Sequence, residues 1–91
     1  MVIDFEELRP VFAQVLKRRR LARKLSQVDL AAGSGVADSY ISRLEKGERM
    51  PSIDVVFRLA GALGIAPETL VRELKLKLLE MRRASDEQDR D

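Results

Sequence analysis

Ser39, Ser42, Arg43 and Lys46 recur at i, i+3, i+4 and i+7 in the segment SYISRLEK. On a helix this spacing lines four polar side chains along one face, opposite Ile41 and Leu44. A stripe of this kind can recognise a surface. The short serine hydroxyls let the helix backbone approach a groove floor, and Arg43 carries a planar fork of donors that matches guanine O6 and N7. Asp38 can accept from a cytosine amino group or simply cap the helix start, and Ala37 stands beside it at the end such a helix would insert. Gln27, at the start of an earlier segment, can meet a phosphate oxygen next to free backbone amides. Tyr40 reads as a packing residue at the helix edge whose hydroxyl can reach a phosphate, Lys46 can add a charge contact, and Arg49, Lys17 and Arg18 either add charge contacts or are solvated surface.

The remaining composition points away from catalysis. The 91 residues include no cysteine and no histidine, which removes disulfides, thiolate chemistry and the usual zinc ligands. No enzyme activity, metal, cofactor or small-molecule ligand is therefore expected. The net charge of +2 is unevenly spread: the tail SDEQDRD holds four acids and one base, which leaves +5 on the rest. KRRRLARK, Lys17 to Lys24, is the densest basic cluster. It reads either as a solvated helix face or as the footprint of a nucleic-acid binder. No apolar run approaches the roughly 18 residues that span a bilayer, and MVIDFEELRP is acidic where a secretory signal would be basic. A soluble cytoplasmic protein without a membrane partner is expected.

Helical spacing recurs along the chain and strand-like alternation does not, so the fold class is all-α. Residues 1–9 read as an N-terminal extension, in which DFEEL forms a turn capped by Asp4 with Phe5 and Leu8 folded back onto the domain. The first helix is expected from Pro10 to about Lys24, burying Phe12, Val15, Leu16 and Leu21. Ser26 caps the second helix with Asp29 three residues on, and Gly33, Ser34 and Gly35 stop it. The third runs from Ala37 or Asp38 to Lys46 and ends on Gly47. Ser52 caps a fourth, whose Ile53, Val56, Phe57, Ala60 and Leu63 are assigned to one buried face. A fifth opens at Pro67 and runs to about Arg83, and residues 85–91 read as an acidic disordered tail. The folded domain is placed at 10–74 and a helical extension at 75–84.

The short link GSG forces the second and third helices to cross steeply. Ala31 is small where they approach, Gly35 supplies the turn, and Leu30, Val36, Ile41 and Leu44 close the unit, which makes a helix-turn-helix. With LSQVDLA, Gly35-Val36, SYISRLEKG, MPS and LAGALGI in order, Leu16 to Leu74 resembles the Cro and lambda-repressor (XRE-like) family of regulators. The resemblance implies a five-helix domain that binds double-stranded operator DNA as a two-fold homodimer, with its third helix in the major groove. It also implies an ion pair between Arg20 and Glu45, and a dimer interface around Ile65, Ala66, Pro67 and Leu70. Val71, Leu74, Leu78 and Met81 follow a 3-4-3 spacing that either extends this interface or covers the chain's own domain. Three positions depart from the family pattern: Lys24 replaces a glycine, Ala37 a Ser or Thr cap, and Ser34 an apolar residue. A phage-type repressor and a restriction-modification controller both fit, with RNA polymerase or another protein as a further partner. An antitoxin-type protein acting through a protein partner is the alternative.

Overall fold

The computed structural model describes residues 2–88, apart from the side chains of Phe5 and Gln88. Asp4 opens the first helix by accepting the Glu6 N–H at 3.0 Å, and α1 then runs unbroken over Phe5–Ala22. The turn expected to stand apart at DFEEL is thus the first turn of α1, and Pro10 lies inside the helix. Proline removes one backbone donor there, but the burial of Val11, Phe12, Val15 and Leu16 carries the helix through. Leu8 packs against the core as expected, whereas the expected placement of the Phe5 side chain lies outside the described residues. Leu21 is a correction, being 54% exposed. The stripe that buries Val11, Phe12, Val15 and Leu16 continues at Arg20, and Leu21 falls one position off it.

Four more helices follow: α2 (Gln27–Ser34), α3 (Asp38–Glu45), α4 (Ile53–Ala62) and α5 (Pro67–Gln88). Every one contributes to a single core, with Leu30 from α2, Ile41 and Leu44 from α3, Val56, Leu59 and Ala60 from α4, and Leu70 and Leu78 from α5. On α4 the buried stripe is Val56, Leu59, Ala60 and, just past its end, Leu63. Ile53 and Phe57 were assigned to this face, but they are 73% and 60% exposed. They form a second apolar edge, one helical step from the core stripe. Gly64, with φ of 72°, ends α4 under the Arg23 guanidinium, which donates to the Leu63 carbonyl at 3.1 Å. A side chain at Gly64 would displace Arg23.

The α5 helix lies back along α1. Arg19 and Arg18 reach Glu73, and further along, Arg82 holds Glu7 through two hydrogen bonds of 2.6 and 2.7 Å and the Val2 carbonyl through one of 2.6 Å. The hydrogen bond from Arg82 holds the Glu7 carboxyl below its ordinary range. Leu78 is buried and Met81 packs against the core. Of the 3-4-3 seam, Leu74, Leu78 and Met81 thus cover the chain's own domain, whereas Val71 stays outside it at 50% exposed. Helix α5 also extends to Gln88, through residues expected in a disordered tail; the rest of that tail lies outside the described residues.

Lys24 has φ of 58°, in the left-handed region where the family pattern has glycine. That conformation costs a residue with a side chain about 1–2 kcal/mol, and glycine's greater freedom in the unfolded chain returns about 0.4–1 kcal/mol of this. Lys24→Gly is therefore expected to stabilise the fold by about 0.5–1 kcal/mol, which is about 3–6 °C in Tm for a domain of this size. A thermal melt checks this, and an unchanged or lower Tm would show that the turn carries no strain.

Candidate nucleic-acid interface

A capping box fixes the start of α2. The Ser26 hydroxyl accepts the Asp29 N–H at 2.9 Å, and the Asp29 carboxylate accepts the Ser26 N–H at 3.0 Å. The Ser26 N–H also holds the Asp29 carboxyl below its ordinary range. As first residue of α2, Gln27 has a backbone N–H without an intrahelical acceptor, aimed out of the helix end. At the other end Gly35 takes φ of 73° and donates to the Ala31 carbonyl at 2.9 Å. Ser34 is buried where the family pattern is apolar, and its hydroxyl accepts the Val36 N–H at 3.2 Å. The turn therefore holds a buried polar group at no loss of hydrogen bonding.

Helix α3 enters without a side-chain cap, because Ala37 has no hydroxyl. Asp38 accepts the Ser39 N–H at 2.9 Å in its place. Ile41 and Leu44 are fully buried, which turns Ser39, Arg43 and Lys46 outward; Ser42 is half-buried at the edge. Ala37 and Asp38 are exposed at the start of the same helix. The residues read from the sequence as base-facing thus share one accessible face, Ser42 least of all.

What holds that face in place is Glu45. Arg20 grips it with Nε at 2.7 Å from Oε2 and Nη2 at 2.8 Å from Oε1, and its remaining Nη1 donates to the Leu25 carbonyl at 2.8 Å. The two side chains are only 9% and 4% exposed. The Glu45 hydrogen bond pushes the Arg20 guanidinium pKa further up. Gln27 joins the cluster, with Nε2 donating to Glu45 Oε1 at 3.2 Å. One carboxylate thereby ties α1, α2 and α3 together. Gln27 retains a second amide hydrogen for an outside acceptor, so its amide is oriented by the fold before any ligand arrives.

Three expected phosphate contacts stand differently. The Tyr40 hydroxyl donates to the Met50 carbonyl at 3.2 Å, which uses its only proton to fix the loop before α4. Arg18 turns toward Glu73 on α5, and Lys17 lines the same α1–α5 groove with Leu21 and Lys77. Arg18 lies nearly opposite Arg20 round α1 and Lys17 between them, while Arg20 faces α3. The basic run Lys17–Lys24 is therefore divided between faces. Lys46 and Arg49 remain exposed near the end of α3.

The expected dimer residues divide as well. Leu70 and Leu78 are fully committed to the protomer's core and offer no surface, and Leu74 packs against that core half-buried. Val71 is 50% exposed, Ala66 is exposed, and Ile65 and Pro67 are half-buried. Val71 and Pro67 line an apolar groove together with Ile53, Val56, Phe57 and Glu68. Ile53 and Phe57 were missed as surface residues, although an i, i+4 apolar pair flanking a complete core stripe is a signal the sequence carries.

Among the described residues no acidic, histidine or cysteine cluster could hold a metal ion, and no helix is long and apolar enough to cross a membrane. A family model described as Helix-turn-helix (HTH_3) matches residues 16–70. The solved restriction-modification controller protein C.AhdI from Aeromonas hydrophila is 42% identical, with a TM-score of 0.64, covering 71% of this chain and 92% of that one. Control protein C.BamHI of Bacillus amyloliquefaciens is 34% identical over 65 residues, 70% of this chain and 80% of that protein. The restriction-modification controller protein C.Esp1396I, solved as a tetramer in complex with its natural 35-base-pair operator, is 26% identical with a TM-score of 0.72, covering 79% and 95%.

Proposed function

Since the chain belongs to the HTH_3 helix-turn-helix family of transcription regulators, we propose that it binds a palindromic operator in double-stranded DNA as a homodimer, with α3 in the major groove. The observation that carries this reading is the outward face of Ser39, Arg43 and Lys46, held by the buried Arg20–Glu45–Gln27 cluster. Arg43 reads a guanine, Asp38 and Ser39 face neighbouring bases beside Ala37, and Ser42 lines the edge of the contact. Gln27 binds a phosphate through its second amide hydrogen and its backbone N–H, with Lys46 and Arg49 adding charge. A helix presented in this way supplies direct readout, and the contacts around it supply register.

The groove formed by Ile53, Phe57, Pro67 and Val71 is the dimer face. Large exposed apolar side chains clustered beside a complete core mark an interaction surface, and a two-fold interface requires such a patch to match itself. Relatives named as restriction-modification controllers, one of them solved as a tetramer on its operator, support a controller of this type. The antitoxin-type alternative needs a C-terminal arm free for a partner. Among the described residues α5 is held to α1 as far as Arg82, through Glu7, and the exposed residues 83–87 beyond it carry no large apolar anchor for a partner, which favours the DNA reading.

Arg43→Ala is expected to weaken operator binding by about 1–3 kcal/mol and to relax preference at one base pair per half-site. Gln27→Ala should weaken operator and random DNA alike. Fluorescence anisotropy on operator, single-base variants and random duplexes separates the two. Equal losses on all sequences for both variants would overturn these roles.

A further inference from the structure

We propose that Arg58 on α4 is a further phosphate contact, serving the end of α3 that Gln27 does not reach. The inference rests on the DNA-binding reading above and adds a residue outside the helix-turn-helix unit. Helix α3 has eight residues, about 12 Å at 1.5 Å per residue, close to the roughly 12 Å width of the major groove. A helix of that length lying in the groove has a phosphate wall near each end. Gln27 is bonded to Glu45, the last residue of α3, so it serves one wall. The other end begins at Ala37 and Asp38, where the first has no hydroxyl and the second carries a negative charge that repels phosphate.

Arg58 lies at that second end. Its Nη1 would stand 3.3 Å from a Cβ built on Gly35. With Gly35, Ala37, Tyr40 and Asp54 it lines the groove beside the start of α3, and it is the cation of that lining. Its bond to the protein leaves it free to act: Nε donates to Asp54 at 3.0 Å, while the side chains are 52% and 70% exposed. An exposed i, i+4 pair of this kind is weak and readily rearranged. The bond through Nε also leaves the Nη edge of the guanidinium open, the edge that grips phosphate. Asp54 orients Arg58 in the free protein, and its charge opposes the phosphate once DNA is bound.

The test measures wild type, Arg58→Ala, Arg58→Lys and Asp54→Asn on the operator and on a random duplex across a salt series, with melting curves confirming the fold of each. Arg58→Ala is expected to lose about fivefold on both DNAs and to flatten the slope of log K against log salt by about one. Arg58→Lys should keep the slope, and Asp54→Asn should bind both DNAs more tightly. An Arg58→Ala protein with unchanged affinity, or with weaker binding on an unchanged slope as a packing role would give, overturns the inference while wild type still binds its operator. A wild type that binds no operator overturns it together with the DNA-binding reading.

Discussion

Glu45→Ala is expected to cost about 3–5 kcal/mol of stability and to abolish operator binding at the same time. The substitution leaves the Arg20 guanidinium, 9% exposed, with one of its three hydrogen bonds, the 2.8 Å contact to the Leu25 carbonyl. A buried charge stripped of its partner is far more costly than the net worth of the pair. Domains of this size are stable by only about 5–15 kcal/mol, so such a loss removes a large part of the whole. Arg20→Lys should also be damaging, because an ammonium cannot reproduce the two-pronged grip. Joint replacement by Met and Leu should recover much of the stability, since a well-packed apolar pair avoids the desolvation cost. Urea unfolding of the set checks this. A Glu45→Ala protein that melts like wild type would mean that the cluster does not hold α1, α2 and α3 together.

Phe57→Asp should leave the protomer folded and separate the dimer. The ring is 60% exposed, so little core packing is lost, whereas a carboxylate facing its own copy across a two-fold axis meets both an apolar surface and a like charge. Binding of two half-sites by linked subunits exceeds binding of one by about 10²–10⁴-fold. Operator affinity should therefore fall at least about a hundredfold, while affinity for an isolated half-site stays near that of wild type. Sedimentation gives the oligomeric state and anisotropy the affinity. A folded variant that remains dimeric would move the interface away from the groove of Ile53, Phe57, Pro67 and Val71.

The helix-turn-helix was legible in the sequence because its determinants are local. Ser26 with Asp29 specifies one cap, Gly35 the turn, and Ile41 with Leu44 the buried side of α3, all within a few residues of what they control. Arg20 with Glu45 was reached through family resemblance, since nothing in their spacing brings residues 25 apart into contact. The readings that failed depended on tertiary context. Pro10 looked like a helix start because its fixed φ suits one, but packing of Val11 and Phe12 extends α1 on both sides of it. Ile53 and Phe57 looked like core because periodicity identifies an apolar stripe without saying which molecule covers it. Leu78 fits a dimer seam and a folded-back helix equally well by spacing, and its burial in the core, with Arg82 paired to Glu7 and Arg19 to Glu73, distinguishes them. Lys17 and Arg18 belonged to a basic run whose residues face different ways round α1.

The most direct test of the central reading is a selection of binding sites from random duplex DNA by the wild-type protein at near-physiological salt. An enriched palindrome is expected, with half-sites about 34 Å apart, one turn of DNA, a guanine opposite Arg43 in each half and a steep dependence of affinity on salt. A selection that enriches no motif, with weak binding to every duplex, would contradict it and leave the outward face of α3 without a DNA-reading role.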